Sequence, residues 1–209
     1  MDAGLIPVKR LDGAKRRLAP ALDSRQRRAL AEALLEDALE LCATVDFLDW
    51  WMVSDDREVL ERAARSGLSV VDDLDGDLNR ALERAIEAIG ARRSVTIVPC
   101  DVPLARRSDL EDLLDTGATS DVVLVPSAGD GGTNGLYLSP PSVLAPRYGP
   151  ASMAAHLSAA HEQKLRVSVL DLPSLAKDID SLDDLEEFMK DERASDTAAG
   201  RLLTSLARH

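Results

Sequence analysis

Three aspartates stand at positions where their carboxylates could hold a cation. Asp101 follows a short β-branched run at 95–98, which fits a strand buried in a mainly parallel sheet. In an open α/β sheet ligands bind beyond the carboxyl ends of the strands, so Asp101 is either placed for chemistry or caps the following turn. Asp178 and Asp180 point the same way if their segment is extended, and two such carboxylates suit one hard cation.

Positive charge is concentrated in one loop near the start of the sequence. Five of the 25 Lys and Arg residues fall between positions 9 and 17, where an even spread would put about one. Gly13 permits a tight turn there, and the lysines and arginines around it could grip phosphate oxygens. The loop matches neither the Walker A motif nor G-x-G-x-x-G. It is therefore either a local anion site or a solvated basic surface.

Two later loops are rich in small residues. Residues 129–135 include four glycines, which let backbone N–H groups approach a ligand closely, and Thr133 and Asn134 add polar groups. Residues 148–152 lead into a predicted helix. At its start Ser152 either offers a free hydroxyl to an anion or acts as an ordinary N-cap.

Several other motifs are incomplete. The acidic stretch at 72–79 fails as a calcium loop, because the sixth and twelfth positions counted from Asp73 are Leu78 and Arg84 rather than Gly and Glu. Asn79, the last residue of this stretch, either reads a base edge or belongs to the first turn of a helix. The three histidines form no HExxH pair and the sequence has no GxSxG, so zinc and serine-type hydrolysis are both disfavoured.

Strand and helix patterns alternate along the chain, which predicts an α/β fold with a mainly parallel sheet. Ser108 is predicted to cap the fourth helix, and Ser181 with Asp184 to form a capping box at the sixth. Predicted strands cover 5–8, 47–53, 68–71, 95–98, 121–126 and 167–170. Predicted helices cover 23–43, 55–67, 78–88, 108–116, 153–160, 181–189 and 197–208.

The composition bounds the class of protein. The 209 residues suit one domain, and with 45% hydrophobic but only 3% aromatic residues the core must consist of Leu, Val, Ile and Ala. A net charge of −12 argues against a nucleic-acid surface. No apolar run approaches the roughly 20 residues that span a bilayer, and no signal peptide is evident. We therefore expect a cytoplasmic protein without a membrane segment.

Several separated motifs occur in the order seen in one family. They are IPVK at 6–9, GAKRRL at 13–18, DLN at 77–79, CDVPL at 100–104, GTN at 132–134, YGPAS at 148–152 with His156, and DID at 178–180. Over essentially its whole length the chain resembles the guanylyltransferases of coenzyme F420 biosynthesis, the CofC/FbiD family. The resemblance implies one nucleotidyltransferase (Rossmann-like) domain over 1–209, with a mainly parallel mixed sheet flanked by helices.

The resemblance also implies a reaction and a set of residue roles. GMP passes from GTP to a small phosphorylated three-carbon acid and pyrophosphate is released; the acid is phosphoenolpyruvate, 2-phospho-L-lactate or 3-phosphoglycerate in different members. The implied catalytic residues are Lys15, Asp101, Asp178 and Asp180, the three aspartates being the Mg²⁺ ligands. The implied binding residues are Thr133, Gly149 and Ser152 for the phospho-acid, and Lys9, Lys15, Arg17, Leu78 and Asn79 for the nucleotide and its phosphates.

Two positions depart from the family pattern, and two other functions stay open. Asp77 stands where a glycine usually precedes the Leu-Asn pair, and Met153 replaces an aromatic residue usual after the substrate serine. The alternatives are a nucleotidyltransferase of the same fold with a molybdopterin or sugar-phosphate acceptor, and a non-catalytic nucleotide-binding protein. Expected partners are GTP, the phospho-acid and the downstream transferase of F420 biosynthesis, with a homodimer left open.

Overall fold

The computed structural model describes residues 1–73, 76–129 and 131–208, so that Leu74, Asp75 and Asp130 of the two predicted loops lie outside the described residues. Strands and helices alternate within these ranges, as predicted. The strands are β1 (Asp2–Val8), β2 (Leu48–Ser54), β3 (Ser69–Asp72), β4 (Val95–Ile97), β5 (Val122–Pro126), β6 (Thr133–Leu138) and β7 (Val167–Val169). The α-helices are α1 (Ser24–Thr44), α2 (Arg57–Arg65), α3 (Leu78–Ile89), α4 (Arg107–Gly117), α5 (Ser152–Glu162), α6 (Leu182–Lys190) and α7 (Ala198–Leu206).

The strands form one sheet in the order β3-β2-β1-β4-β6-β5-β7. All neighbouring pairs are parallel except those of β6, which runs antiparallel to both β4 and β5. The short connection between β5 and β6 accounts for the reversal, because two adjacent parallel strands need a crossover of a dozen or more residues. The predicted α/β fold with a mainly parallel mixed sheet is confirmed.

Side chains that alternate along each strand bury two faces of the sheet under helices. On one face Ile6 and Met52 pack with residues of α1, α2 and α4. On the other face Leu5 and Ile97 pack with α3 and α5. The helices therefore fix the strand ends from both sides, which holds the loops at the carboxyl edge of the sheet in place.

Helix α1 is buried on two sides, because α6 and α7 cover the side that faces away from the sheet. Leu30 and Leu34 of α1 pack there against Phe188 and Leu203. The carboxylate of Asp37 accepts hydrogen bonds from the first two backbone N–H groups of α7, at 2.6 and 3.0 Å. In the part of the chain that is described, no helix has both the length and the apolar character needed to cross a membrane.

The structure corrects three local predictions. Helix α4 begins at Arg107 rather than after Ser108, and the carboxylate of Asp109 receives the Arg106 backbone N–H at 2.7 Å, so Ser108 is not the cap. Strand β6 begins at Thr133, inside the segment predicted as a glycine-rich loop, because pairing with β5 recruits it. Strand β1 begins at Asp2 rather than at Leu5, since it pairs with β2 over its whole length.

Candidate active site

The fold brings the three predicted aspartates together at the carboxyl edge of the sheet. Asp101 follows β4, and its carbonyl oxygen accepts the backbone N–H of Ile179 at 3.1 Å. The side chain of Ile179 is buried among α1, α6 and α7, so the flanking Asp178 and Asp180 turn to the opposite side of this extended segment. One carboxylate oxygen from each of the three aspartates lies within 4.8 Å of the others.

Asp178 is a half-buried member of this carboxylate cluster, which comprises Asp101, Asp178 and Asp180. One of its oxygens accepts hydrogen bonds from the amide of Asn134 at 2.9 Å and the hydroxyl of Ser127 at 3.1 Å. Burial raises the pKa of Asp178 above its usual value; the hydrogen bond from Asn134 lowers this pKa in part, and the negative charges of Asp101 and Asp180 raise it. The cluster therefore carries excess negative charge, and an all-oxygen donor set of this kind suits a hard divalent cation.

Lys15 supplies positive charge within the cluster. Its ammonium lies 2.6 Å from Asp101 Oδ2 and 2.8 Å from Asp180 Oδ1, and its side chain is only 9% exposed. Burial lowers the pKa of Lys15, but the two carboxylates outweigh burial and hold it above the usual value. The backbone of Lys15 has a φ of 51°, which is uncommon for a residue other than glycine. The loop is thus held in an unfavourable conformation by contacts to segments that lie far along the chain.

The cluster lies between two clefts. A cleft of about 480 Å³ is lined by the basic loop, which is the segment 9–17, by Val53 of β2 and by Leu78 at the start of α3. Both Lys9 and Lys15 line this cleft. A second cleft of about 380 Å³ is lined by Arg17, Asp178 and Asp180 among others. The Arg17 guanidinium is exposed and lies 4.0 Å from Asp180. Of the predicted nucleotide residues, Lys9, Lys15 and Leu78 share the first cleft, while Arg17 lines the second.

The amide of Asn79 is occupied by the backbone of another loop. Its nitrogen donates to the carbonyl oxygen of Tyr148 at 2.9 Å, and its oxygen accepts the Tyr148 N–H at 2.7 Å. Asp77 is the N-cap of α3 and accepts the N–H of Arg80. Asn79 therefore ties the start of α3, beside the first cleft, to the loop that contains Gly149 and Ser152.

Thr133 and Ser152 form a buried hydroxyl pair. The Ser152 hydroxyl donates to Thr133 Oγ1 at 3.2 Å, and Nδ1 of the fully buried His156 lies 3.1 Å from the same oxygen. Ser152 is the first residue of α5 and follows the cap position, which Ala151 occupies with a φ of 56°. Its hydroxyl is thus neither free nor a cap, and Gly149 lies exposed in the same loop with a φ of 140°.

Sequence reasoning assigned no role to Ser127 and His156 and named Asn134 only as a polar group of its loop, yet all three support these groups. Ser127 follows the end of β5, which is the same kind of position that singled out Asp101 after β4. Asn134 neighbours Thr133 on β6 and points to the opposite face, toward Asp178. His156 occurs in the loop motif that carried the family resemblance, but nothing in its spacing indicated that it contacts Thr133.

Comparison with known proteins places the chain in a family. The family model described as guanylyl transferase, CofC like, matches residues 3–207. A 2-phospho-L-lactate guanylyltransferase from Methanothermobacter thermautotrophicus is 38% identical over 188 residues, which cover 88% of this chain and 82% of that protein. A phosphoenolpyruvate guanylyltransferase from Conexibacter woesei is 38% identical over 189 residues, covering 87% of this chain and 84% of that protein.

A solved structure extends the comparison to the fold. A crystal structure of a protein from Desulfovibrio desulfuricans G20, assigned as a nucleotide-diphospho-sugar transferase, superposes with a TM-score of 0.82. The superposition covers 98% of this chain and 94% of the Desulfovibrio chain at 16% sequence identity, so this likeness concerns the fold alone. The family match spans nearly the whole sequence, and it includes all the residues that build the carboxylate cluster. The chain belongs to the CofC-like guanylyltransferase family.

Proposed function

We propose that this protein transfers GMP from GTP to a phosphorylated three-carbon acid, phosphoenolpyruvate or 2-phospho-L-lactate, and releases pyrophosphate. The observation that carries the proposal is the meeting of Asp101, Asp178 and Asp180 with Lys15 beside a cleft lined by the basic loop. Family membership supports it, since relatives that are 38% identical are named as guanylyltransferases of these two acids.

The two substrates occupy different sides of the cluster in this proposal. GTP lies in the cleft of about 480 Å³, where Lys9 and Lys15 neutralise phosphate oxygens and Leu78 contacts the nucleoside. The acid lies beside Thr133 and Ser152, on the other side of the Asn134–Asp178 hydrogen bond. We assign Arg17, which is exposed and close to Asp180, to the departing pyrophosphate in this proposal.

The reaction needs positioning and charge neutralisation more than proton transfer. An oxygen of the acceptor phosphate is already ionised near neutral pH and attacks the α-phosphorus of GTP in line. The new bond joins this oxygen to the α-phosphorus, and the bond to the β-phosphate oxygen breaks, so pyrophosphate leaves with its electron pair. The positive charge of Lys15 stabilises the negative phosphate oxygens at this centre. Lys15 does not give up a proton, because its carboxylate neighbours keep it protonated.

Asp101, Asp178 and Asp180 would hold Mg²⁺ in this proposal. When bound, the ion would act as a Lewis acid toward the phosphate oxygens and as a template for the reacting groups. Asn134 and Ser127 would orient Asp178, because both donate to one of its oxygens.

Pyrophosphate release from the purified protein tests the proposal. GTP, ATP and CTP are each combined with phosphoenolpyruvate, 2-phospho-L-lactate and 3-phosphoglycerate, with and without Mg²⁺. A parallel set contains the downstream transferase and its deazaflavin acceptor, which we propose as the consumer of the product in coenzyme F420 biosynthesis. We expect release with GTP and one acid only. A molybdopterin and a sugar phosphate are included as further acceptors, and release with either of them instead would reassign the acceptor. GTP binding without release under any condition would refute the proposed activity.

A carboxamide substitution tests the role of the cluster. Asp101→Asn keeps the shape of the side chain but removes its charge, and we expect kcat to fall at least about 100-fold, since electrostatic stabilisation of this kind contributes several kcal/mol. Asp171→Asn is the matched control, because Asp171 is an exposed carboxylate outside the cluster. Equal activity of the two variants would count against the assignment of Asp101.

A further inference from the structure

A buried imidazole connects the loop at 147–152 to the start of β6, on the side of the site proposed for the acid. His156 lies on α5 with none of its surface exposed. Its Nε2 accepts the backbone N–H of Arg147 at 2.8 Å, and its Nδ1 lies 3.1 Å from Thr133 Oγ1. One side chain therefore contacts both the loop at 147–152 and the first residue of β6.

The contact with Arg147 fixes the tautomer of the ring. A backbone N–H can only donate, so Nε2 must be the unprotonated nitrogen. A neutral imidazole then carries its proton on Nδ1, and Nδ1–H donates to Thr133. Burial, together with the positive charge of Arg147, lowers the pKa of His156 to about 4. A hydrogen bond to the Ser152 carbonyl has the opposite but smaller effect on this pKa. The ring is therefore neutral at physiological pH.

The hydrogen bonds to Thr133 determine where its own hydrogen can point. A hydroxyl oxygen has two lone pairs and one hydrogen. The lone pairs of Thr133 Oγ1 receive His156 Nδ1–H and the Ser152 hydroxyl. Among the described residues no oxygen or nitrogen accepts a hydrogen bond from the Thr133 hydroxyl hydrogen. The Thr133 hydroxyl can therefore act toward a ligand only as a hydrogen-bond donor, which favours an anionic oxygen as that ligand.

We propose that His156 is a positioning residue for the acceptor, which by donating to Thr133 directs the Thr133 hydroxyl hydrogen toward an anionic oxygen of the phosphorylated acid. The inference rests on the proposed function, because it names the group that orders the acceptor half of that site. Through Nε2 the same ring also holds Arg147, two residues before Gly149.

Two amide substitutions separate the two contacts of the ring. His156→Asn places an amide near the position of Nδ1 and keeps a donor for Thr133. His156→Gln places its carbonyl near the position of Nε2 and keeps an acceptor for the Arg147 N–H. With phosphoenolpyruvate and 2-phospho-L-lactate as probes, we expect His156→Gln to raise the KM for the acid about 5- to 10-fold, as for loss of one neutral hydrogen bond. His156→Asn should stay within about 3-fold, and the KM for GTP should change less than about 2-fold in both.

A double substitution tests whether His156 acts through Thr133. Thr133→Val removes the hydroxyl and should raise the KM for the acid about 10- to 100-fold, as for loss of a hydrogen bond to a charged group. Adding His156→Gln to Thr133→Val should then have little further effect on this KM, although it lowers thermal stability in both backgrounds. An equal and independent effect of His156→Gln in the two backgrounds would overturn the proposal, because a purely structural residue behaves in that way.

The tautomer gives a readout that does not depend on activity. Long-range ¹H–¹⁵N spectra of protein labelled at histidine nitrogen contain signals from three residues, and loss of one set in His156→Gln assigns His156. We expect a protonated Nδ1 and an unprotonated Nε2, and the opposite tautomer would refute the inference. If the wild-type protein releases no pyrophosphate, the proposed function fails separately; calorimetric Kd values for phosphoenolpyruvate then replace KM, and equal values for wild type and His156→Gln refute the role of His156.

Discussion

Replacing Lys15 by Met tests whether the carboxylate cluster depends on the buried ammonium. The substitution keeps an unbranched apolar side chain of similar length but removes the two ion pairs, at 2.6 Å to Asp101 and 2.8 Å to Asp180. The two carboxylates and the neighbouring Asp178 then face one another without a protein cation between them. We expect the folded state to lose stability, because the unfolded chain separates these charges.

The size of the effect follows from the burial of the groups. Breaking a fully buried ion pair costs about 3–5 kcal/mol, because an uncompensated charge is left behind. The side chain of Asp101 is 27% exposed and that of Asp180 is 42% exposed, so water screens much of the repulsion between the carboxylates. We therefore expect the free energy of unfolding to decrease by about 2 kcal/mol. For a chain of this size the loss corresponds to a decrease in Tm of about 4–8 °C.

Thermal and urea unfolding at pH 7 without Mg²⁺ measure this loss. Lys9→Met is the matched control, because Lys9 belongs to the same loop but is exposed, and its stability should stay within about 0.5 kcal/mol of wild type. Mg²⁺ should raise the Tm of Lys15→Met more than that of wild type, since the cation no longer competes with the ammonium. A Tm for Lys15→Met equal to that of Lys9→Met would refute the reasoning.

Three further substitutions test the fold and the buried imidazole. Asp37→Ala removes the acceptor for the first N–H groups of α7 and should cost about 2–3 kcal/mol in urea unfolding, whereas the exposed neighbour Glu36→Ala should cost less than about 0.5 kcal/mol. Gly200→Ala should cost about 3 kcal/mol in thermal unfolding, because a Cβ there would overlap the Ala194 carbonyl oxygen. His156 has a pKa of about 4 in the folded chain and 6.5 in model peptides, so its contribution is complete above pH 6.5 and falls by about 3 kcal/mol as the pH decreases to 4. Urea unfolding at pH 7 and 4.5 should show this decrease in the wild type but not in His156→Gln.

Local sequence signals predicted those parts of the fold in which neighbouring residues alone determine the structure. The capping box of Ser181 and Asp184 forms as predicted, because both partners lie within one helical turn. The start of β6 at Thr133 was missed, since the glycines around it suggest a loop and only pairing with β5 extends the strand. Ser108 was a plausible cap by residue type, but the carboxylate of Asp109 takes the N–H of Arg106 instead.

The site was predictable in its residue types and less so in its contacts. Asp101 could be placed because it follows a buried strand, and Asp178 with Asp180 because of their spacing. That Lys15 would pair with Asp101 and Asp180 could not be inferred, because these residues lie 86 and 165 positions away. The predicted roles of Asn79 and Ser152 stay predictions, and the structure adds that both side chains are engaged by other parts of the protein.

The antiparallel strand β6 helps to place the proposed acid site and the proposed GTP cleft in different parts of the chain. Because it runs against β4 and β5, β6 brings its first residues to the edge of the sheet where the other strands end. The described residues on either side of the turn between β5 and β6, Ser127 and Gly131, therefore lie toward the proposed acid site, and the Gly131 carbonyl accepts the backbone N–H of Met153 at the start of α5. The cleft proposed for GTP is lined by residues of β1, β2, α3 and the loop after β1, all in the first half of the chain. If the proposed function is correct, substitutions at Ser127 and Gly131 are expected to alter which acid is used and to leave the choice of nucleotide unchanged.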